Sequence, residues 1–370
     1  MSLADTRTAV SHQPAAARPD VSLASARRIV HDLFKPNPVI YWTDFLVTFA
    51  IGVTAFQGVK PSPLFSLQQI GLFIVSCLMF YRLAMFIHEL VHIRSGSFTY
   101  FRIAWNLMVG IPFLMPSFVY YPHMDHHRRK HYGTDKDGEY LALGQNGRWQ
   151  MIAFVLGSFV VPIVTVFRYL ILTPLTWVSP SLRRLVMRHA SSLVMDPTYI
   201  RPLPTAQAMR IIRIQEVACF LWCLAIAISV CTVGKYPFPF LIQCYLTGAT
   251  ILTINAIRTL GAHRFDNEEG EMTFVEQLLD SVNYPSRPWI TTWWGPIGTR
   301  FHALHHLFPS MPYHNMPAAH RRLMEELPAD SPYRQTNRVT LISGILDLWR
   351  RSRDYERQQA AVRRAARQTA

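Results

Sequence analysis

Half of the 370 residues are hydrophobic and only 16% are charged, too sparse for a water-soluble chain, in which about a quarter would be charged. The formal net charge is +14, but its Lys and Arg flank apolar runs, the pattern of membrane topology and not of a nucleic-acid surface. Cys77, Cys219, Cys223, Cys231 and Cys244 all lie in apolar stretches without a Cys-x-x-Cys pair, which excludes an iron–sulfur site, a structural zinc site and a disulfide framework.

In chain order, residues 1–20 are polar and rich in Ala and Ser, without a secretory apolar core, and read as a disordered tail. Residues 41–58 and 64–87 form two apolar helices of spanning length, separated by Lys60, Pro61 and Pro63. At ~1.5 Å per residue each crosses a hydrocarbon layer of ~30 Å, and so short a link makes them an antiparallel hairpin. The tip carries one Lys, whereas Arg94, Arg102 and Arg128-Arg129-Lys130 follow the second helix, so both hairpin ends are expected on the cytoplasmic side.

Residues 103–121 are apolar but interrupted by Pro112 and Pro116, and histidines flank them on both sides. If both flanks serve one site, the segment begins and ends on the same face and is re-entrant or interfacial. Residues 151–177, with Pro162, Arg168 and Pro174 inside, read as partly inserted, and the basic amphipathic stretch 178–212 as a helix lying on the surface. Residues 216–234 and 237–258 form a second spanning hairpin with Lys235 at its tip, and 259–370 are polar and end in an Arg-rich helix former. The expected fold is an all-α integral membrane protein with four spanning helices in two hairpins, re-entrant or interfacial helices, and a cytoplasmic helical cap.

Against this frame the histidines stand out. His88 and His92 are spaced i, i+4, which puts both rings on one helix face. His123, His126 and His127 are spaced i, i+3, i+4, as are His302, His305 and His306. In such a triplet a spaced pair closes on one ion, while the neighbour, turned by about 100°, serves a second. Neutral imidazole is the commonest metal ligand, and three boxes hold too many for one ion; they fit two ions at a membrane surface. Residues 88–92 also match His-Glu-x-x-His, in which Glu89 would be the general base of a zinc protease, but that reading leaves the other boxes without a purpose. A metal-sensing membrane protein is a non-enzymatic alternative.

The boxes, their order and the apolar hairpins between them resemble the membrane fatty acid desaturase superfamily, which also holds membrane hydroxylases and carotenoid oxygenases. The resemblance covers roughly residues 40–325. Thr259-Leu-Gly-Ala-His-Arg264 is similar to the family's extra histidine after the last span, and His302-Ala-Leu-His-His-Leu-Phe-Pro-Ser-Met-Pro-Tyr-His314 to its third box with the downstream Pro-x-x-His. The resemblance implies two iron ions held almost wholly by histidine, O2 as co-substrate, and loss of two hydrogens from an unactivated acyl chain. It makes His88, His92, His123, His126, His127, His302, His305 and His306 ligands, with His263 the ninth, and expects no catalytic side chain beyond the metal centre. The third box begins with His302 and not Gln, and the first has three intervening residues, which leans toward the acyl-lipid branch.

Glu89, Asp125, Asp137, Glu139, His131 and His314 are expected to support the ligands from behind. The chain then divides into a disordered tail and lead-in over 1–38, a desaturase-like membrane domain over 39–325 and a basic cytoplasmic helical tail over 326–370. The primary expectation is an O2-dependent fatty acyl desaturase, with a lipid or carotenoid hydroxylase or ketolase as the alternative. The partners expected are a membrane lipid and a separate electron donor, a ferredoxin or small haem protein of acidic character docking on the basic face; no haem domain, flavin fingerprint or nicotinamide fingerprint is present in the sequence, and no nucleic acid is expected.

Overall fold

The computed structural model describes residues 23–93, 96, 98–234, 238–267 and 270–368. The tail expected over 1–20 and the hairpin tip at Lys235 lie outside them, as does Arg94. A short helix, α1 (Leu23–Ile29), leads to α2 (Pro38–Val59). Pro38 occupies the first turn, where its missing N–H costs nothing, and the Asn37 side chain accepts the Val39 N–H. After the break at Lys60–Pro63, the Ser66 hydroxyl caps α3 (Leu67–His92). Its 26 residues are long enough to cross the bilayer and still carry His88 and His92 on its last turn. The two helices pack so closely that a Cβ on Gly52 would lie 2.9 Å from the Phe80 ring.

Next come α4 (Thr99–Trp105) and the four-residue α5 (His123–His126), joined through a widened turn at Asn106–Gly110 and a tight one at Ser117–Tyr120. Pro112 and Pro116 lie in the irregular stretch between these turns. His92 and His123 touch, with ring centroids 5.0 Å apart, so 103–121 does begin and end on one side, as its flanks required.

The next segment runs through α6 (Arg148–Phe167), a widened turn at Arg168–Leu172 and α7 (Thr173–Val178). It is followed by α8 (Pro180–His189), α9 (Ala206–Ile228, continued by a widened turn to Val233) and α10 (Phe238–Leu260). Among the described residues, five helical stretches are long and apolar enough to cross a membrane; the fifth is 148–178, the segment whose prolines and arginine suggest only partial insertion. The Arg148 N–H is held by Glu356, near the Arg351 that bonds Arg264 O beside His263. From there α6 runs 20 residues, about 30 Å, packed on α10, where the Tyr245 hydroxyl donates to Phe159 O. Arg168 bonds Ala190 O and Ser191 Oγ and meets Glu216, ten residues into α9. The chain is an all-helical, multi-pass membrane protein: α2 and α3 pack as a hairpin, α10 packs against α3 and α6, with Gln243 donating to Phe56 O, and α9 packs against α7 and the widened turn at Arg168–Leu172 instead of along α10, so the second expected hairpin is not formed as a packed pair.

The basic stretch 178–212 is not one helix. It breaks over 190–205, where Pro197, Pro202 and Pro204 fall, and α9 starts ten residues earlier than hydropathy suggests. The remaining chain forms α11 (Phe274–Asp280), α12 (Pro288–Trp294), α13 (His302–Leu307), α14 (Met316–Glu326) and α15 (Leu341–Gln368). Trp289 and Trp293 of α12 face outward, 70% and 51% exposed, which suits an interfacial aromatic belt and not a tunnel wall.

At the end of α6, the apolar interior holds a charged knot. Arg168 and Arg183 both bond Glu216 of α9, the latter at 2.5 Å, and Arg168 also reaches Thr173 and Ser191. A buried carboxylate shared by two guanidiniums leaves both uncompensated when it is lost. Glu216→Gln is expected to destabilise the detergent-solubilised protein by about 3–5 kcal/mol in thermal or denaturant unfolding, and adding Arg168→Met to recover part of it. Unchanged stability in the single variant would show that the knot does not tie α6, α8 and α9 together.

Candidate metal centre

Four elements bring the histidines to one place. His88 and His92 lie on the last turn of α3; α5 presents His123 and His126 with His127 just beyond it; His263 follows α10; and α13 carries His302, His305 and His306. The start of α13 is capped from outside: Asn283, fully buried, accepts the Leu304 N–H at 3.1 Å and is itself anchored to Thr336.

The nine rings sort into two groups. His88, His92, His123, His127 and His305 form one, and His126, His263, His302 and His306 the other; within each, one nitrogen of every ring lies within 4.8 Å of the rest. The spaced pairs 123/127 and 302/306 each serve one group, while His126 and His305 serve the opposite one, as 100° per residue demands. The groups adjoin, with the His127 and His306 rings stacked 4.3 Å apart.

Electrostatics argues that these groups fit cations. Burial, reinforced by the neighbouring imidazoles, holds His123, His127, His302, His305 and His306 well below the usual histidine range, so they are neutral and present lone pairs. Burial also presses on His126, but the Asp137 carboxylate outweighs it and raises its pKa. Asp137 accepts from His126 Nδ1 at 2.8 Å, and Asp280 faces His263 Nδ1 at 3.2 Å. The Nε2 atoms of the two rings point at each other across 3.2 Å. Further Nε2–Nε2 contacts are 2.8 Å (His302–His263), 2.9 Å (His305–His127) and 3.0 Å (His127–His123). Two imidazoles bound at right angles to a metal at about 2.1 Å stand about 3.0 Å apart. Both ring nitrogens of His88, and Nε2 of His92, are buried without a hydrogen-bond partner, as suits nitrogens that would hold a cation.

The residues expected behind the ligands divide. Asp137 bonds His126 and also accepts the Gly133 and Glu139 N–H groups. Glu139 faces His123 Nδ1 at 2.9 Å, and burial lifts its carboxyl to about 7. Asp125 pairs with Arg128 and His131, at the rim of the second box. Glu89 turns away from the rings, taking the Tyr41 hydroxyl and the Tyr313 N–H, so it does not face the histidines as a protease base would. His314 accepts the Asn37 N–H, and His320 is bonded to Tyr333. Sequence reasoning missed Asp280 and Tyr132, whose hydroxyl bonds Asp280 and lies 2.8 Å from His263 Nδ1; neither is spaced from a histidine in any way that signals contact.

Among known proteins, the family model described as "Fatty acid desaturase" matches residues 65–337. The chain is also 38% identical to a ceramide hydroxylase of Caulobacter vibrioides (strain NA1000 / CB15N) over 340 residues, covering 90% of this chain and 95% of that protein. No solved structure matches it.

A carboxylate that fixes a ligand's proton is worth about 10–100-fold in metal affinity. Asp137→Asn is expected to weaken metal binding by that factor without unfolding the protein, and His305→Ala and His263→Ala each to deplete a different one of the two groups, read as metal per chain by plasma mass spectrometry. Equal metal content in all three variants and the parent would rule out these clusters as the binding site.

Proposed function

The chain belongs to the fatty acid desaturase family, and on that premise we propose that this membrane oxidoreductase is an O2-dependent hydroxylase of a ceramide-class lipid, with two iron ions held by the nine histidines. The single observation that carries the choice of hydroxylation is the full-length likeness to a ceramide hydroxylase. Iron bound between these rings would activate dioxygen toward an unactivated C–H bond. The side chains supply the rest. Asp137, Glu139 and Asp280 hold the Nδ1 protons of His126, His123 and His263, which fixes each Nε2 lone pair inward. Burial of His88, His123, His126, His263, His302 and His305 would keep water from the reacting carbon. The spans that deliver them leave the bilayer beside the site, so an apolar chain reaches it without passing through water.

Hydroxylation consumes one O2, two electrons and two protons, placing one oxygen in the lipid and releasing one water. Desaturation takes the same inputs, removes a second hydrogen from the adjacent carbon and releases two waters. Both begin with the same hydrogen removal, so ligation does not separate them, and the family model supports desaturation as the second reading. Either reaction draws electrons from a separate donor. An acidic donor suits the exposed Arg129 and Lys130 beside the second box and the exposed basic end of α15. The same basic residues, against the single described Lys at the tip of the first hairpin, support a cytoplasmic position for the site.

The test is lipid mass spectrometry of a host expressing the chain, compared with one expressing His126→Ala. Gain of one oxygen atom in a ceramide-class lipid, absent from the variant, is the expected outcome. Loss of two hydrogens instead would establish desaturation, and identical lipid profiles would sink both readings.

A further inference from the structure

Among the described residues four arginines are buried: Arg168, Arg201, Arg258 and Arg300. In Arg168, Arg201 and Arg300 no buried nitrogen lacks a hydrogen-bond partner. Arg168 is bonded to Glu216, Thr173, Ser191 and Ala190. Arg201 bonds Ser191 O and lies over the Phe118 ring. Arg300 bonds Pro285 O and Thr291 Oγ1 and lies over Phe301. Arg258 differs. It is 6% exposed, and its Nη2 donates to Asn255 Oδ1 at 2.9 Å. The Tyr81 hydroxyl, which donates to Trp294 O, offers it a second neutral acceptor. Its Nε–H has no partner, and among the described residues it makes no ion pair. A guanidinium has five N–H donors and resists losing its proton, so burying it with neutral contacts alone is costly.

Its position gives that cost a purpose. Arg258 lies five residues before His263 on α10, and Tyr81 seven before His88 on α3, about 7–10 Å toward the bilayer from the cage. Burial dominates the surroundings of His302, Tyr120 and Glu139, and within them the charge of Arg258 reaches all three. The cation therefore stands on the membrane side of the histidines. A lipid chain that were hydrocarbon throughout would gain nothing from it, whereas a lone-pair oxygen near the reacting carbon would supply the acceptor that its Nε–H lacks.

We propose that Arg258, with Asn255 and Tyr81, forms a polar subsite that binds an oxygen acceptor of the lipid substrate beside the histidine cage, and so selects oxygen-bearing lipids and sets which carbon is presented. This deepens the lipid-oxidising reading above and rests on it. In a ceramide the acceptor is the amide carbonyl or a chain hydroxyl; in a free fatty acid it is the carboxylate.

The test uses full-length protein in detergent, with bound metal and melting temperature measured for each variant. Binding of ceramide is compared by native mass spectrometry with that of an analogue lacking the chain hydroxyl, an analogue whose amide carbonyl is reduced, and a free fatty acid. The parent protein is expected to bind the lipid carrying the recognised oxygen about 10–100-fold more tightly than the analogue without it, the worth of a hydrogen bond to a charged group. The analogue that loses affinity identifies the oxygen. Arg258→Met is expected to abolish this discrimination while keeping metal and melting temperature, Arg258→Lys to keep part of it, and Asn255→Leu to weaken it. The proposal is overturned if Arg258→Met and Asn255→Leu discriminate as the parent does, or if discrimination falls only together with bound metal. A parent that shows the preference yet oxidises no ceramide would refute the hydroxylase reading and leave the subsite standing.

Discussion

Ring nitrogens brought to about 3 Å ask for a proton or a cation between them, and this structure gathers many of them. His126 and His263 each face a carboxylate through Nδ1, and their Nε2 atoms meet at 3.2 Å. The same spacing recurs around both groups of rings. A cation between the nitrogens would turn such a cluster from a cost into a source of stability, and the fold holds the rings where one could bind.

The connectivity makes sense from that constraint. Four separate segments must end at one level beside the bilayer, and each arrives by a different route: the end of a span, a loop after another span, a very short helix, and a helix capped by a buried asparagine. The re-entrant stretch 103–121 exists because His92 and His123 must touch. The Arg168–Glu216–Arg183 knot ties the end of α6 to α8 and α9 within an apolar interior, where the carboxylate is shared by two guanidiniums.

Polar groups grade outward from the cage. Asp137, Glu139 and Asp280 stand directly behind the rings of His126, His123 and His263 and face their Nδ1 atoms. Glu89, although adjacent to His88 in sequence, belongs to a different network with Tyr41 and Tyr313 that joins α2, α3 and the chain after the third box. A residue's neighbour in sequence is often its opposite in space on a helix, because successive side chains are turned by about 100°. Arg258 shows the converse: nothing in its sequence context marks it, and its meaning lies in what does not surround it.

Local periodicity was enough to identify four apolar spans, the first hairpin and the box histidines as candidate ligands, because hydropathy and i, i+4 spacing are properties of a single helix. That each triplet divides between two groups was likewise legible, but not which pair stays together: i, i+3 and i, i+4 pairs both share a helix face, and the structure joins His123 with His127 and His302 with His306. The course of 148–178 was less so: its prolines and Arg168 suggest partial insertion, whereas the stretch is long and apolar enough to cross, and which helices α9 and α10 pack against depends on contacts between distant segments. Asp280 and Tyr132 were invisible because they reach His263 from 17 residues downstream and 131 upstream, distances over which no periodicity survives. The sequence by itself determined which residues are lipid-soluble and which can ligate; the tertiary structure decided which of them meet, because pairing between distant segments depends on the closure of the whole chain and not on any one turn of it.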